Sequence, residues 1–452
     1  MYLESVQVNN FKCFAEQELR FSKITLLLGA NSTGKTSLLY SLLAALQSDR
    51  FPVVLSANGA WVNLGDFRAI SHKHKSDAEV QIRLSFGGHE HGTATFSGRY
   101  TQSSKTGMPE LHGARYSDQS FAVDVVRDSH GYKTSWTYDS AKDPFRKSLS
   151  DKPDLRAFFQ AVNKFMRAGK GKQSNASITD GEDWLGEPPS SGEFSFTNTR
   201  EFLKRLSEPK YFLLTPHLTS LTTTLSEYQR GFNYVGSFRQ EPQRSYYQVS
   251  KADLKVRRDG QNYIEQIATW QEEGAPQLSQ LKKALRQLKL LEGLRASRIG
   301  RGIFEVSVRP SLRGVPAALA DVGFGVGQIL PLLVADLQLP NTGTLAISQP
   351  EIHLHPSVQA DLADYFAKRI SVTKKRYVIE THSEYLFNRL RLLVAKGDLK
   401  AADLSILFLA SDGSKTVAHP ITFATDGRIE GAPKEFFQTY MADVMNIAIA
   451  AH

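Results

Sequence analysis

The amino-acid sequence predicts an α/β fold built on a mixed, largely parallel β-sheet. A glycine-rich loop stands between a strand-like apolar run and a helical pattern near residue 30. From about residue 303 onward, short apolar runs alternate with amphipathic helical patterns, which is typical of parallel sheets covered by helices. Glycine-rich or polar pieces follow several of these runs, at the strand ends where such sheets bind ligands.

The N-terminal segment predicts two or three strands that lead into this loop. Apolar side chains alternate along residues 3–21, and the apolar run Ile24–Leu28 follows. Residues 29–36 then read Gly-Ala-Asn-Ser-Thr-Gly-Lys-Thr, a complete phosphate-binding loop, and leucines at helical spacing come next. Cys13 lies within the strand pattern and is interpreted as a small core residue.

The loop residues define a predicted nucleotide site. Its members are Asn31, Ser32, Thr33, Gly34, Lys35, Thr36 and Ser37. Main-chain N–H groups of such a loop, and of the helix behind it, bind phosphates. Lys35 is expected to reach the β- and γ-phosphates, and the Thr36 hydroxyl is expected to hold Mg²⁺. ATP and Mg²⁺ are therefore the expected cofactors.

Composition restricts the class of protein. The 452 residues, of which 41% are hydrophobic and 22% charged, fit a globular protein of two or three subdomains. No run approaches about 18 unbroken apolar residues, so no membrane partner is expected. The N-terminus lacks the basic-then-apolar order of a signal peptide, and the single cysteine excludes an intrachain disulfide. These features predict a cytoplasmic location.

Positive charge is unevenly distributed along the chain. The formal net charge is +9, and basic residues cluster between 282 and 313, with a second basic run at 164–172. The first cluster comprises Lys282, Lys283, Arg286, Lys289, Arg295, Arg298, Arg301, Arg309 and Arg313. The clustering favours a polyanionic partner such as nucleic acid, although ATP itself and an acidic protein partner also fit it.

The middle of the chain is predicted to interrupt the nucleotide-binding core. Glycine, serine and polar residues dominate from about 88 to 200, which is typical of surface loops between short elements. Apolar residues at helical spacing recur at 155–165 and 278–291. We therefore expect an N-terminal core part with the phosphate loop at 1–95, a partly helical and basic insertion or lid at 96–300, and a C-terminal core part at 301–452.

Four further pieces occur in a fixed order in the C-terminal part. They are the glycine-rich turn Asp321–Gln328, the strand Thr344–Ser348 followed by Gln-Pro-Glu, the loop Ile352–Pro356, and Glu380–Ser383 at the end of the next strand. Together with Asn10–Phe14 and Tyr234–Pro242, they resemble the ATP-binding-cassette head of the prokaryotic SMC, RecF and OLD-like ATPases. The similarity is greatest to the AAA-family subgroup with a C-terminal domain of unknown function, and it covers about 1–90 and 230–452.

The resemblance implies an ATPase in which two heads meet head to tail. Each ATP would lie between one phosphate loop and the glycine-rich turn of the other head. Gly325, Gly327 and Gln328 would present main-chain N–H groups and a helix N-terminus to the γ-phosphate. His382 would contact the same phosphate and report its loss. The expected assembly is a homodimer or a higher homo-oligomer.

Two histidines in the loop after the central strand raise the question of a metal site. His353 and His355 are alternate residues, and no acidic or cysteine partner in a ligand-like pattern accompanies them. We therefore interpret this loop as a dimer contact that precedes a helix.

The sequence departs from the family pattern at the end of the central strand. Ser348 and Gln349 occupy the positions of the usual acidic residue for Mg²⁺ and of the usual glutamate that polarises water. Ser348 can hydrogen-bond a magnesium-bound water and joins Thr36 in the predicted metal site, whereas Gln349 cannot accept a proton. Three interpretations stay open: hydrolysis is slow, Glu351 takes over, or Gln349 is an engineered replacement. We prefer slow hydrolysis, with Gln349, Glu351 and His382 as the predicted catalytic residues.

The preferred function is an ATP-gated regulator. Relatives with such heads often control a separate nuclease or toxin in prokaryotic antiphage defence, and no Toprim nuclease domain is expected after this head. The alternative is a RecF-like DNA-repair or recombination ATPase that clamps DNA, which the basic cluster at 282–313 favours. A transporter subunit is disfavoured, since the polar insertion and the loop at 351–356 are unusual there.

Overall fold

The computed structural model describes most of the chain. The described residues are 1–89, 92–129, 131–142, 191–196, 215–247, 255–300, 302–411, 416–433 and 436. The helical pattern at 155–165, the basic run at 164–172 and Arg301 lie outside them.

The strands are numbered in chain order. They are β1 Tyr2–Phe11, β2 Phe14–Arg20, β3 Ile24–Gly29, β4 Val80–His89, β5 Gly92–Gln102, β6 Pro109–Ser117, β7 Phe121–Asp128, β8 Gly131–Tyr138, β9 Ser191–Phe196, β10 Phe232–Val235, β11 Tyr246–Tyr247, β12 Gly293–Gly300, β13 Ile303–Arg309, β14 Ala317–Ala318, β15 Thr344–Ser348, β16 Arg376–Glu380, β17 Leu404–Ser411, β18 Thr416–Phe423 and β19 Ile429–Glu430.

The α-helices are numbered in the same way. They are α1 Lys35–Leu46, α2 Phe67–Ile70, α3 Thr215–Arg230, α4 Tyr263–Glu272, α5 Pro276–Gln287, α6 Phe324–Gln338, α7 Pro356–Val372 and α8 Glu384–Ala395. The predicted alternation of strands and helices after residue 303 is confirmed, and α6 begins within the glycine-rich turn Asp321–Gln328.

A seven-stranded sheet carries the phosphate loop. Its order is β10-β15-β16-β3-β17-β18-β19. The first five strands are parallel, β18 pairs antiparallel with β17, and β19 pairs antiparallel with β18. The predicted α/β fold with a mixed, largely parallel sheet is therefore confirmed. Because parallel strands end at one edge, the loop after β3 and the residues after β15 and β16 lie together.

Both faces of this sheet are buried, which explains its nearly continuous apolar strands. On one face, Leu26, Ile347 and Ile379 belong to a core shared with α6, α7 and α8. On the other face, Leu27 and Ala346 belong to a core shared with α1 and the second large sheet. The sheet thus separates two cores and presents only its edges and loops to ligands.

The second large sheet is wholly antiparallel, with the order β2-β1-β4-β5-β6-β7-β8-β9. The expectation of surface loops over 88–200 is wrong for the described strands β5–β9. A row of buried side chains crosses four of them in register, namely Phe96, Tyr116, Val123 and Trp136. The residues of this row are far apart in sequence, so the glycine- and serine-rich composition of 88–200 did not indicate it.

Four antiparallel strands, β11 to β14, form a small third sheet. Its buried side chains join the core of α4, α5 and α6. β5 spans the predicted boundary at 95/96, and β10 pairs with β15 inside the nucleotide-binding sheet. The division at 1–95, 96–300 and 301–452 stays a prediction. No helix among the described residues is long and apolar enough to cross a membrane.

Candidate functional site

The phosphate loop connects β3 to α1 through a left-handed turn. Ser32 and Gly34 have φ angles of 62° and 93°. A Cβ atom at Gly34 would lie 2.6 Å from the Cys13 sulfur, so the loop needs glycine there for both conformation and space. Cys13 itself lies in the turn between β1 and β2, and the expectation that it lies in a strand is wrong.

The predicted loop residues converge on the start of α1. Asn31 and Ser32 are exposed, whereas Thr33 is buried and its hydroxyl donates to the Ala30 carbonyl over 2.9 Å. α1 has neither a side-chain N-cap nor an acidic residue in its first turn. Its first N–H groups are therefore available to an anion.

Lys35, the charged residue of the loop 29–37, is buried. It is 4% exposed, and its Nζ donates to the main-chain oxygens of Gly29 and Ala30 over 2.9 and 2.6 Å. Burial lowers the pKa of Lys35, and the negative charges of Glu380 and Glu351 oppose this shift. The lysine thus lies between the loop carbonyls and two carboxylates.

A carboxylate that the sequence argument did not assign joins the loop to the strand ends. The Thr36 hydroxyl donates to Glu380 Oε1, and the Ser348 hydroxyl donates to Glu380 Oε2 over 2.8 Å. Tyr234 places its hydroxyl 3.2 Å from the Ser348 oxygen. The two predicted metal-site residues, Thr36 and Ser348, are therefore held by the same buried side chain.

Gln349 follows β15 in a strained conformation. Its φ angle is 49°, a region that residues other than glycine rarely adopt, and its N–H donates to the Glu380 main-chain oxygen over 2.6 Å. Gln349, Thr36 and Glu380 line a cleft of about 540 Å³. Phe238, which is 91% exposed, forms part of the outer wall.

Glu351 is bound to the segment that carries His382. Its two carboxylate oxygens accept the His382 N–H and the Thr381 hydroxyl, each over 2.7 Å. Burial raises the pKa of Glu351, and these two hydrogen bonds oppose the rise. Burial and the charge of Lys35 lower the pKa of His382. The three predicted catalytic residues thus lie along one edge, and each Glu351 carboxylate oxygen accepts one hydrogen bond from the His382 segment.

Arg239 is a second residue that sequence reasoning missed. It is 7% exposed, and its guanidinium donates to the main-chain oxygens of Ser348 and Gln349 over 2.8 and 3.0 Å. Burial lowers its pKa to about 10. Gln328 is 2% exposed, and its side chain donates to the Arg239 oxygen over 3.4 Å. The Gln328 side chain is thus turned inward, and the predicted contact of its main-chain N–H with the γ-phosphate stays a prediction.

The glycine-rich turn packs against the loop after β15. A Cβ atom at Gly325 would lie 2.7 Å from the His353 main-chain oxygen, and one at Gly327 would overlap Pro242. The Phe324 ring meets the His353 ring edge to face at 4.9 Å. His355 accepts the Ser357 N–H at the start of α7, as expected of a residue preceding a helix. The turn and the loop therefore form one packed unit.

Among the described residues, salt bridges involve only some members of the basic cluster at 282–313. Arg286, Lys289 and Arg298 pair with acidic side chains. Arg295 and Arg309 are exposed and lie on the outward face of the β12–β13 pair, opposite its buried side chains. This face offers two neighbouring arginines to solvent.

A family model described as AAA ATPase domain matches residues 1–177 and 199–387. A search of curated proteins found no match. Among solved structures, the SMC head domain from Thermotoga maritima is 9% identical, with coverage of 93% of this chain and 99% of that chain and a TM-score of 0.40.

Two further solved structures match at a similar level. An SmcHead bound to the C-winged helix domain of ScpA is 11% identical over 93% of this chain and 98% of that chain, with a TM-score of 0.44. The other is an Smc head domain with an extended coiled coil, bound to the C-terminal domain of ScpA derived from Pyrococcus furiosus. It is 11% identical, with coverage of 100% of this chain and 99% of that chain and a TM-score of 0.42. We draw no functional conclusion from similarity at this level.

Proposed function

Because the chain belongs to the AAA ATPase domain family, we propose that it binds ATP with Mg²⁺, hydrolyses it slowly, and uses ATP-gated head dimerisation to regulate a separate effector. The observation that supports this most is the junction of Lys35, Thr36 and Glu380 beneath the phosphate loop. It combines a phosphate-binding cation, a hydroxyl and a carboxylate at one strand edge.

The residues around Thr36 fit a magnesium ion. Mg²⁺ prefers oxygen ligands and is usually held by one or two protein groups together with substrate phosphates. Thr36 and Ser348 offer two hydroxyls, each within hydrogen-bond distance of the Glu380 carboxylate. When bound, the ion would neutralise charge on the β- and γ-phosphates.

Three groups near the expected position of the attacking water support slow hydrolysis. The Gln349 amide can orient a water but cannot take its proton, and the hydrogen bonds from Thr381 and His382 hold the Glu351 carboxylate against the segment that follows β16. His382, with a lowered pKa, is a neutral imidazole near neutral pH and can hydrogen-bond the γ-phosphate. ATP would therefore persist long enough to hold two heads together.

Contacts within the chain support coupling between nucleotide and assembly. Glu351 binds the segment carrying His382, and the loop that follows Glu351 packs on Gly325 through the His353 main chain. A change at the γ-phosphate would thus reach the turn proposed to meet the partner's ATP. The effector class, a nuclease or toxin in prokaryotic antiphage defence, rests on the family resemblance alone.

The effector role can be tested with the product of a neighbouring nuclease or toxin gene. Its activity would be measured with this protein, with and without ATP, beside Lys35→Ala. We expect ATP to change effector activity only with wild type. The same change with Lys35→Ala, or none in either case, would contradict the proposal.

The exposed pair Arg295 and Arg309 favours a second candidate, a RecF-like ATPase that clamps DNA. The test is ATP turnover with and without duplex DNA at two salt concentrations. Stimulation that disappears in Arg295→Ala and Arg309→Ala, and that weakens with salt, would favour this alternative.

A further inference from the structure

The carboxylate missing from the end of β15 is present on the adjacent strand. Ser348 and Glu380 are the last residues of β15 and β16, and they pair directly in the parallel register. The Ser348 hydroxyl donates to Glu380 Oε2 over 2.8 Å. A carboxylate therefore reaches the space beside residue 348 even though that residue is a serine.

The same carboxylate also contacts the hydroxyl that is proposed to bind the metal. Glu380 Oε1 accepts the Thr36 hydroxyl from the first turn of α1. Glu380 thus lies between the phosphate loop and β15, at the point where the nucleotide's metal must be held if the proposed function is right. Its position follows from strand register.

The surroundings of Glu380 lack a direct cationic partner. Glu380 is 4% exposed, and within the part of the chain that the structure describes, its carboxylate oxygens are held by two hydroxyls and by no basic side chain. Lys35 acts on it through space, but the Lys35 Nζ donates to Gly29 and Ala30. Buried carboxylates are usually paired or bound to metal, so the site is suited to a cation.

We propose that Glu380 supplies the acidic contact for nucleotide-bound Mg²⁺, the role for which Ser348 lacks a carboxylate. This inference rests on the proposed ATP binding. A competing role is purely structural, in which Glu380 only fastens Thr36 to Ser348. The two roles differ in one measurable respect, because only the first makes the effect of Mg²⁺ on nucleotide affinity depend on Glu380.

The experiment measures the affinity of the full chain for AMP-PNP in Mg²⁺ and in EDTA, with Glu380→Gln and the control Glu273→Gln. Glu273 is exposed at the end of α4. We expect Mg²⁺ to tighten binding to wild type and to the control, and Glu380→Gln to lose about 10–100-fold of affinity in Mg²⁺ only. A rescue variant, Ser348→Asp with Glu380→Gln, should recover most of that loss because it returns a carboxylate to the same space.

Each other outcome overturns the inference. Equal losses in Mg²⁺ and in EDTA would assign Glu380 a structural role, and an unchanged Mg²⁺ effect would remove it from the metal site. If wild type binds AMP-PNP in neither condition, the proposed ATP binding itself fails, which is a distinguishable result.

A second variant covers the case in which Glu380→Gln does not fold. Ser348→Asp places a second carboxylate beside Glu380, and repulsion between the two carboxylates should make the AMP-PNP-bound protein more sensitive to Mg²⁺. We expect Mg²⁺ to raise the unfolding midpoint of this variant more than that of wild type. No difference between them would overturn the inference.

Discussion

The two halves of the candidate site are specified in different ways. The phosphate-loop half is one continuous segment, 29–37, whose strand, turn and helix fix its geometry locally. The strand-end half is assembled from residues far apart in sequence: sheet register brings Ser348 and Glu380 together, and the loop after β10 brings Arg239 to them. Replacing a residue of the continuous motif changes its local geometry. In a site formed by paired strands, by contrast, a carboxylate on one strand can take the position of a carboxylate missing from its neighbour.

The largest expected effect lies in the phosphate-loop half. Lys35→Ala removes the buried cation and leaves the Gly29 and Ala30 carbonyls without their donor. We expect nucleotide affinity to fall by about 100-fold, since hydrogen bonds to charged groups contribute roughly 1.5–3 kcal/mol each. The measurement is titration with AMP-PNP.

Lys374→Ala is the matched control for that change. Lys374 is exposed and precedes β16, at the opposite edge of the sheet. Affinity of Lys35→Ala close to that of the control would refute the assignment of the loop as the nucleotide site.

The next prediction concerns the strand-end half of the site, where one substitution should change ATP turnover but not nucleotide affinity. Gln349→Glu places a proton acceptor in the cleft that Thr36 and Glu380 also line. We expect ATP turnover to rise by about 100-fold, in the range of general-base catalysis, with little change in AMP-PNP affinity. The measurement is phosphate release with ATP in excess.

Gln287→Glu, an exposed change at the end of α5, is the control for added charge. Brisk turnover by wild type that Glu351→Ala abolishes would instead make Glu351 the working carboxylate. That result would contradict the slow-hydrolysis interpretation.

A smaller effect tests the packing between the glycine-rich turn and the loop after β15. Gly325→Ala would place a Cβ atom 2.7 Å from the His353 oxygen, whereas nothing lies within 4 Å of a Cβ atom at Gly323. We expect Gly325→Ala to lower the free energy of unfolding by about 1–3 kcal/mol and Gly323→Ala to change it little. Chemical denaturation measures both, and equal effects would show that the two segments are not tightly packed.

The smallest effect is a pH dependence at Glu351. Burial raises its pKa above the ordinary value, so the folded state binds more protons than the unfolded state just above that value. Stability contributed by protonated Glu351 is then lost as pH rises. Relative to wild type, the unfolding midpoint of Glu351→Gln should rise by roughly 2 °C as the pH increases above the ordinary glutamate pKa. A difference that does not vary with pH would argue against a raised pKa.

Features formed by contiguous residues were predicted from the sequence better than features formed by residues that only the fold brings together. The phosphate loop and the elements after residue 303 were predictable because their patterns are contiguous. The antiparallel strands β5–β8 were missed because their core is a row of single residues, from Phe96 to Trp136, on separate strands. Glu380 and Arg239 were missed as site residues for the same reason, since only the pairing of β15 with β16 and the fold of the loop after β10 bring them to Ser348.

The central claim is that ATP gates the assembly of this chain, and the most direct test is its mass in solution. Light scattering on the purified protein, with and without Mg²⁺ and ATP, would be compared with Lys35→Ala. We predict that ATP at least doubles the mass of wild type and leaves the variant unchanged. An unchanged mass for wild type at saturating ATP would contradict the account.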